Sequence, residues 1–169
     1  YQYEGADASF EILVRRTLED YSPPFELVDY MVIVQEKGEP NSLMGGGTPL
    51  TQATVKIKVG NEIRHTAAIG NGPVNALDQA LRKALLEDYP SLGVVRLADY
   101  KVRIVNQGTG TGAIVRVLTE STDGPNTWQT VGASPNIIEA SWQALVDSLD
   151  YWLLKYSSEL LVKASELGH

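Results

Sequence analysis

One supersecondary pattern is written twice in this chain, and a chain that repeats itself has few folds open to it. The first copy ends on AAIGNGPVNALDQALRKALL (67–86) and the second on QTVGASPNIIEASWQAL (129–145). In the first, Gly70-Asn71-Gly72 breaks a strand. Gly72 stands as N-cap, and Pro73 takes the first helical position, where a missing N–H costs nothing. Leu77, Ala80, Leu81, Ala84 and Leu85 then recur at helical spacing. Aligned on glycine and proline, the second copy sets Gly132 with Gly70, Ser134 with Gly72 and Pro135 with Pro73. Upstream, Leu27-Val28-Asp29-Tyr30 answers Leu97-Ala98-Asp99-Tyr100, and Ala53-Thr54-Val55-Lys56-Ile57 answers Ala113-Ile114-Val115-Arg116-Val117. Each turn presents the positive end of a helix beside a strand. Such a place either holds a carboxylate or phosphate on its free amides or only packs the helix onto the sheet.

Taken in order, the chain opens on a short amphipathic helix over Ala6 to Leu18, with Ala6, Phe10, Leu13 and Thr17 on one face and Arg15 and Arg16 away from it. Ser22-Pro23-Pro24 ends it as a hinge. Strands are expected over 25–36, 51–59 and 62–69, the last two joined by a hairpin at Gly60-Asn61. Three more follow over 94–106, 113–119 and 127–131. The final helix starts at Ser134-Pro135 and runs through Ile138, Trp142, Leu145, Leu149, Trp152 and Tyr156, with a continuation as far as Leu161. Trp142 reads as core; Trp152 and Tyr156 lie beyond the length of the first helix and suit a partner chain or neighbouring domain. Val55, Ile57 and Val59 alternate with lysines, and antiparallel strands with one wet face need helices on the other. The expectation is an α+β fold of two pseudo-symmetric βββα units forming a sheet-and-helix sandwich. Unit one is 25–90 and unit two 91–157; they follow a linker helix and hinge in 1–24 and precede a tail in 158–169.

The chemistry-bearing residues are sparse. The chain has no cysteine, which removes thiolate nucleophiles and zinc–thiolate sites and fits a reducing, cytoplasmic setting. A net charge of −7 argues against nucleic acid or an anionic membrane as partner, and no apolar run approaches a membrane span. Gly45-Gly46-Gly47 lacks the lysine and helix of a phosphate loop and reads as a flexible connection. Gly108-Thr109-Gly110-Thr111-Gly112 runs into a strand, not the helix a dinucleotide turn needs. His65 shares a face with Ile63, Ala67 and Ile69, and spacing gives it no catalytic partner, so a structural role is favoured. No paired acid and base, activated nucleophile or metal-ligand spacing stands out, which disfavours a freestanding enzyme. An RNA-binding sheet lacks its aromatic motif here. What remains is a cleft. If the pseudo-symmetry axis passes near the two turns, two helix starts converge, with Leu97, Tyr100, Ile104 and Val115 as an apolar wall. Such a cleft suits a small zwitterion with a branched apolar side chain.

Three blocks in order, 68–77 (AIGNGPVNAL), 97–102 (LADYKV) and 131–141 (VGASPNIIEAS), resemble the C-terminal regulatory domain of the 2-isopropylmalate synthase and citramalate synthase family, over about 25–154. Residues 3–11, YEGADASFE, resemble the linker subdomain of the citramalate branch. The resemblance implies a fragment of a longer enzyme that condenses acetyl-CoA with a 2-oxo acid, pyruvate in this branch. That chemistry uses a divalent metal in an N-terminal TIM barrel, so the fragment itself should hold no catalytic residue, metal or cofactor. It further implies a homodimer that binds the end product as feedback inhibitor: isoleucine for citramalate synthase, leucine for isopropylmalate synthase. Carried over, the effector contacts fall at Val74, Asn75, Leu97, Tyr100, Ile104, Val115, Pro135 and Ile137.

Overall fold

The computed structural model describes residues 7–35, 50–106 and 112–157. The two glycine runs apart from Gly112, the loop over 37–49, the expected helix continuation past 157 and the tail lie outside them. The elements are α1 (Asp7–Arg15), β1 (Glu26–Gln35), β2 (Leu50–Val59), β3 (Glu62–Gly70), α2 (Pro73–Leu85), β4 (Arg96–Asn106), β5 (Ala113–Thr122), β6 (Thr127–Ser134) and α3 (Ile137–Trp152). Two antiparallel sheets, ordered β1-β2-β3 and β4-β5-β6, each carry one helix, so the α+β reading with paired βββα units holds. Compact units divide at 24/25 and 89/90, and α1 belongs with the second.

In the first unit α2 lies on β2 and β3. Ala53, Val55 and Ile57 face Leu77, Ala80, Leu81, Ala84 and Leu85, all buried as the helical spacing requires. The helix packs chiefly on those two strands, and Leu27, Val28, Met31, Ile33 and Val34 of β1 stay exposed. His65 is exposed, opposite Lys56, on the face of β3 turned from the helix.

The second unit repeats this plan with a more polar interior. Val117, Thr119 and Ser121 of β5 meet α3; Thr119 and Thr130 share a 2.7 Å hydroxyl contact, and Ser121 and Ser148 one of 2.6 Å. Trp142 is buried as expected. Trp152 is a correction: it is 1% exposed and donates its Nε1 proton to Asp123 Oδ2 at 3.0 Å. It joins Trp128, Tyr151 and Tyr156 in an aromatic cluster of its own unit. The extra helical length is filled from within, because Trp128 and the Asp123 turn supply what the first unit lacks.

The linker helix also departs from expectation. Its packed face is Ala8, Ser9 and Ile12, while Phe10 and Leu13 are exposed. What decides its orientation is polar. Ser9 Oγ accepts the Val131 N–H at 2.8 Å, on the free margin of edge strand β6, and Arg16 bridges Asp147 and Asp150 at 2.8 and 3.1 Å. Tyr21 donates to Asp150 at 2.7 Å. Apolar periodicity cannot register contacts of that kind.

The repeat is real, but its internal register differs from the alignment on glycine and proline. Both first strands bulge at the same place, between Leu27 and Asp29 and between Leu97 and Asp99, so that part of the alignment stands. Opposite the bulges lie Ile57 and Ser121, and the positive-φ turn glycines are Gly60 and Gly124. Ala53–Ile57 therefore corresponds to Val117–Ser121, not to Ala113–Val117. Likewise Thr66 matches Thr130 and Gly70 matches Ser134, so Pro73 answers Ile137 and Pro135 stands outside α3. Hydrogen bonding to the helix fixes this register, and two prolines two residues out of step disguise it.

Candidate effector site

The two helix starts are built differently. At α2, Gly72 is the N-cap with no side-chain cap, Pro73 opens the helix, and the first turn carries no acid. The Asn75 side chain turns back, accepting from Asn71 N–H at 3.3 Å and from Gln79 Nε2 at 2.8 Å. Gly70 must be glycine, because a Cβ there would collide with Asn75 and the Ala76 backbone. Val74 is only 2% exposed, so its side chain serves the core. An uncapped helix start keeps its dipole and spare amides for an outside acceptor.

At α3 the start is already occupied. Asn136, not Ser134, is the N-cap; its Oδ1 accepts from Ile138 N–H at 2.8 Å. Ser134 ends β6, accepts from Asn136 N–H at 3.1 Å and donates to Glu139 Oε2 at 3.0 Å. Gln143 Oε1 takes the Ala133 N–H at 3.1 Å. Gly132 stays glycine because a Cβ would meet the Ala140 carbonyl. With its own carboxylate in the first turn, this end is the poorer receiver of an anion. Asn136, Glu139 and Gln143 escaped the sequence reading. The asparagine followed three residues later by glutamate is a capping-box spacing, and was the signal available.

The apolar wall exists along β4. The register puts Leu97 opposite Ser121, Tyr100 opposite Thr119, Val102 opposite Val117 and Ile104 opposite Val115, all on the face that carries α3. The helix covers β5 and β6 and leaves this strand open, with Tyr100 40% and Ile104 70% exposed. Val115 in turn pairs with Ser134. Ile104 and Val115 therefore lie at the end of the sheet where the chain leaves β6 through Pro135 and α3 starts at Ile137. Leu97 is not brought to them: at a rise of ~3.3 Å per residue it stands roughly 20 Å from Ile104, further than one amino acid spans. Tyr100 lies between. Among the described residues no group of three or more His, Asp or Glu could hold a metal ion, and no helix is long and apolar enough to cross a membrane.

Comparison with known proteins adds a second line. A family model described as the LeuA allosteric (dimerisation) domain matches residues 4–153. An (R)-citramalate synthase of Geobacter sulfurreducens is 51% identical over 155 residues, 92% of this chain and 28% of that protein. One from Aquifex aeolicus is 47% identical over 159 residues, 94% of this chain and 29% of its own length. A 2-isopropylmalate synthase of Methanocaldococcus jannaschii is 32% identical over 117 residues, 69% of this chain and 21% of that protein. The chain thus spans under a third of the relatives it matches.

Proposed function

This chain belongs to the LeuA allosteric (dimerisation) domain family, and from that premise we propose that it is the isoleucine-sensing domain of an (R)-citramalate synthase. The parent enzyme would join acetyl-CoA to pyruvate in a separate catalytic domain that holds the divalent metal. The present chain would pair with a second copy and report the level of the end product. The citramalate branch is favoured because the relatives named for it are the more similar and are matched over more of this chain.

The observation that carries the binding reading is the open apolar row at Ile104 and Val115 beside the start of α3. There a branched side chain finds surface that its own unit leaves uncovered, and burying it is the favourable term. Within its own unit, the uncapped α2 start at Val74 and Asn75 offers backbone amides to an acceptor. Tyr100 borders the pocket, and Leu97 supports the strand from a distance. Regulation follows if isoleucine binds one arrangement of the units more tightly than another, since only differential affinity shifts such an equilibrium.

A thermal-shift series with isoleucine, leucine, valine and threonine tests this. At about a hundred times its dissociation constant a ligand adds ~2.7 kcal/mol of stability, and isoleucine should give the largest shift. Leucine giving the larger shift moves the chain to the isopropylmalate branch. No shift with any of the four removes the sensor reading.

A further inference from the structure

A cavity of about 280 Å³ opens along the margin of edge strand β6, just short of the place where Ser9 meets Val131. Asp7 at the start of α1, Glu120 on β5 and Tyr151 near the end of α3 line it, with Trp128 and Gln129 of β6 between them. Two carboxylates and two aromatic rings thus face one space, and among the described residues no lysine or arginine lines it. Trp128 and Tyr151 stand 6.2 Å apart, each more than nine-tenths buried. Gln129 Nε2 donates to Glu120 Oε1 at 3.3 Å, a neutral donor that does not cancel the charge. Strand alternation turns the main chain of Gln129 the same way as that of Val131, so its carbonyl faces out of the sheet at this margin.

The internal repeat supplies a control. In the register set by Thr66 and Thr130, Lys56, Arg64 and Glu87 answer Glu120, Trp128 and Tyr151. There the first unit carries a cation of its own: Arg64 Nη1 lies 3.4 Å from Glu87 Oε1, and Arg64 Nε lies 3.0 Å from Asp88 Oδ2. The second unit has a ring pair in place of that ion pair, and an acid in place of Lys56.

We propose that this cavity receives a small aliphatic diammonium ion. One ammonium group fits against Glu120, with the Gln129 carbonyl as a further acceptor, and the other fits against Asp7. The carbons between them pack on Trp128 and Tyr151. Lys155 already lies over the Tyr151 ring, 5.0 Å from its centroid, and bonds its hydroxyl, so the rings are left to receive carbon rather than charge. A metal ion suits the place less. The described residues gather no group of three or more His, Asp or Glu, and buried rings offer nothing to a hard cation that takes oxygen ligands. An amino acid would set its own carboxylate against both acids. The net charge of −7 draws cations toward the chain from a distance.

Isothermal titration of the chain with 1,4-diaminobutane, n-butylamine and magnesium chloride, at neutral pH and matched ionic strength, tests the site. Glu120→Lys installs the first unit's residue, Glu120→Gln guards against a folding artefact, and Asp7→Asn removes the second acid. Saturable binding of one diamine per chain is expected, at least tenfold tighter than n-butylamine. It should weaken at least tenfold in each of the three variants, with the melting temperature and isoleucine affinity of the Glu120 variants unchanged. The proposal is overturned by no saturable binding of the diamine, by n-butylamine or magnesium binding as tightly, or by binding indifferent to the variants. None of these outcomes touches the isoleucine reading, whose apolar row at Ile104 and Val115 lies at the other end of the sheet.

Discussion

Thr66 and Thr130 hold the same post in the two halves of the chain: each hydroxyl donates at 2.7 Å to the helix carbonyl fourteen residues on, Ala80 and Ala144 respectively. The two bonds differ in setting. Thr130 is fully buried and also meets Thr119, whereas Thr66 is part-exposed. Thr130→Val takes away the buried partner of the Thr119 hydroxyl and the second donor to the Ala144 carbonyl, and should cost ~1–3 kcal/mol. Thr66→Val should cost less, since water replaces the lost partner. Denaturant unfolding of the two variants, compared with the parent chain, checks the order.

A second expectation concerns Ile104 and Leu97. Ile104→Ala leaves the fold unchanged, within about 0.5 kcal/mol for so exposed a site. It removes apolar surface worth ~1–3 kcal/mol to a bound side chain, so isoleucine affinity should drop about tenfold or more. Leu97→Ala should weaken binding far less, and Tyr100→Ala should fall between. Titration calorimetry giving the reverse order would place the pocket at the other end of β4.

Acid stability should show two opposed contributions. The Arg64 guanidinium, bonded to both oxygens of Asp88 at 3.0 Å, holds that carboxyl below its ordinary value. Its stabilisation is present above the ordinary value and is lost as pH falls through the folded one. Burial pushes Asp78 up, against the pull of Arg82. Its contribution is present below the ordinary value and is lost as pH rises through the folded one. Melting curves between about pH 3 and 7 should therefore diverge. Relative to the parent chain, Arg64→Gln should fall with rising pH, and Asp78→Asn should climb.

Ser9→Ala isolates the docking of α1. Val131 N–H would lose its 2.8 Å acceptor, at a cost of ~1–3 kcal/mol. Hydrogen exchange at Val131 should speed up, while amides in the middle of β5 keep their protection.

These cases show what the sequence disclosed and what it withheld. The repeat, the six strands, the Gly72-Pro73 helix start and the apolar row on β4 are all legible, because each is a local or periodic signal. The register between copies was not. It is set by Thr66 and Thr130 reaching helix carbonyls, and no spacing rule records a tertiary hydrogen bond. The placement of α1 failed for the same reason, since Ser9 and Arg16 orient it, not Phe10 and Leu13. The inward turn of Trp152 carries no local signal either, because its partner Asp123 stands where the first unit has Val59.

The serine lodged against β6 has a practical consequence for anyone shortening this protein. A version trimmed to begin at Phe25 would look complete, with both three-stranded halves and both long helices intact. It would also leave bare the main-chain N–H and carbonyl of Val131 on the margin of edge strand β6, and uncovered strand edges invite stitching between molecules. Stocks of the trimmed form should turn cloudy on concentration, and restoring the leading eighteen residues, from Asp7 through Pro24, should clear them.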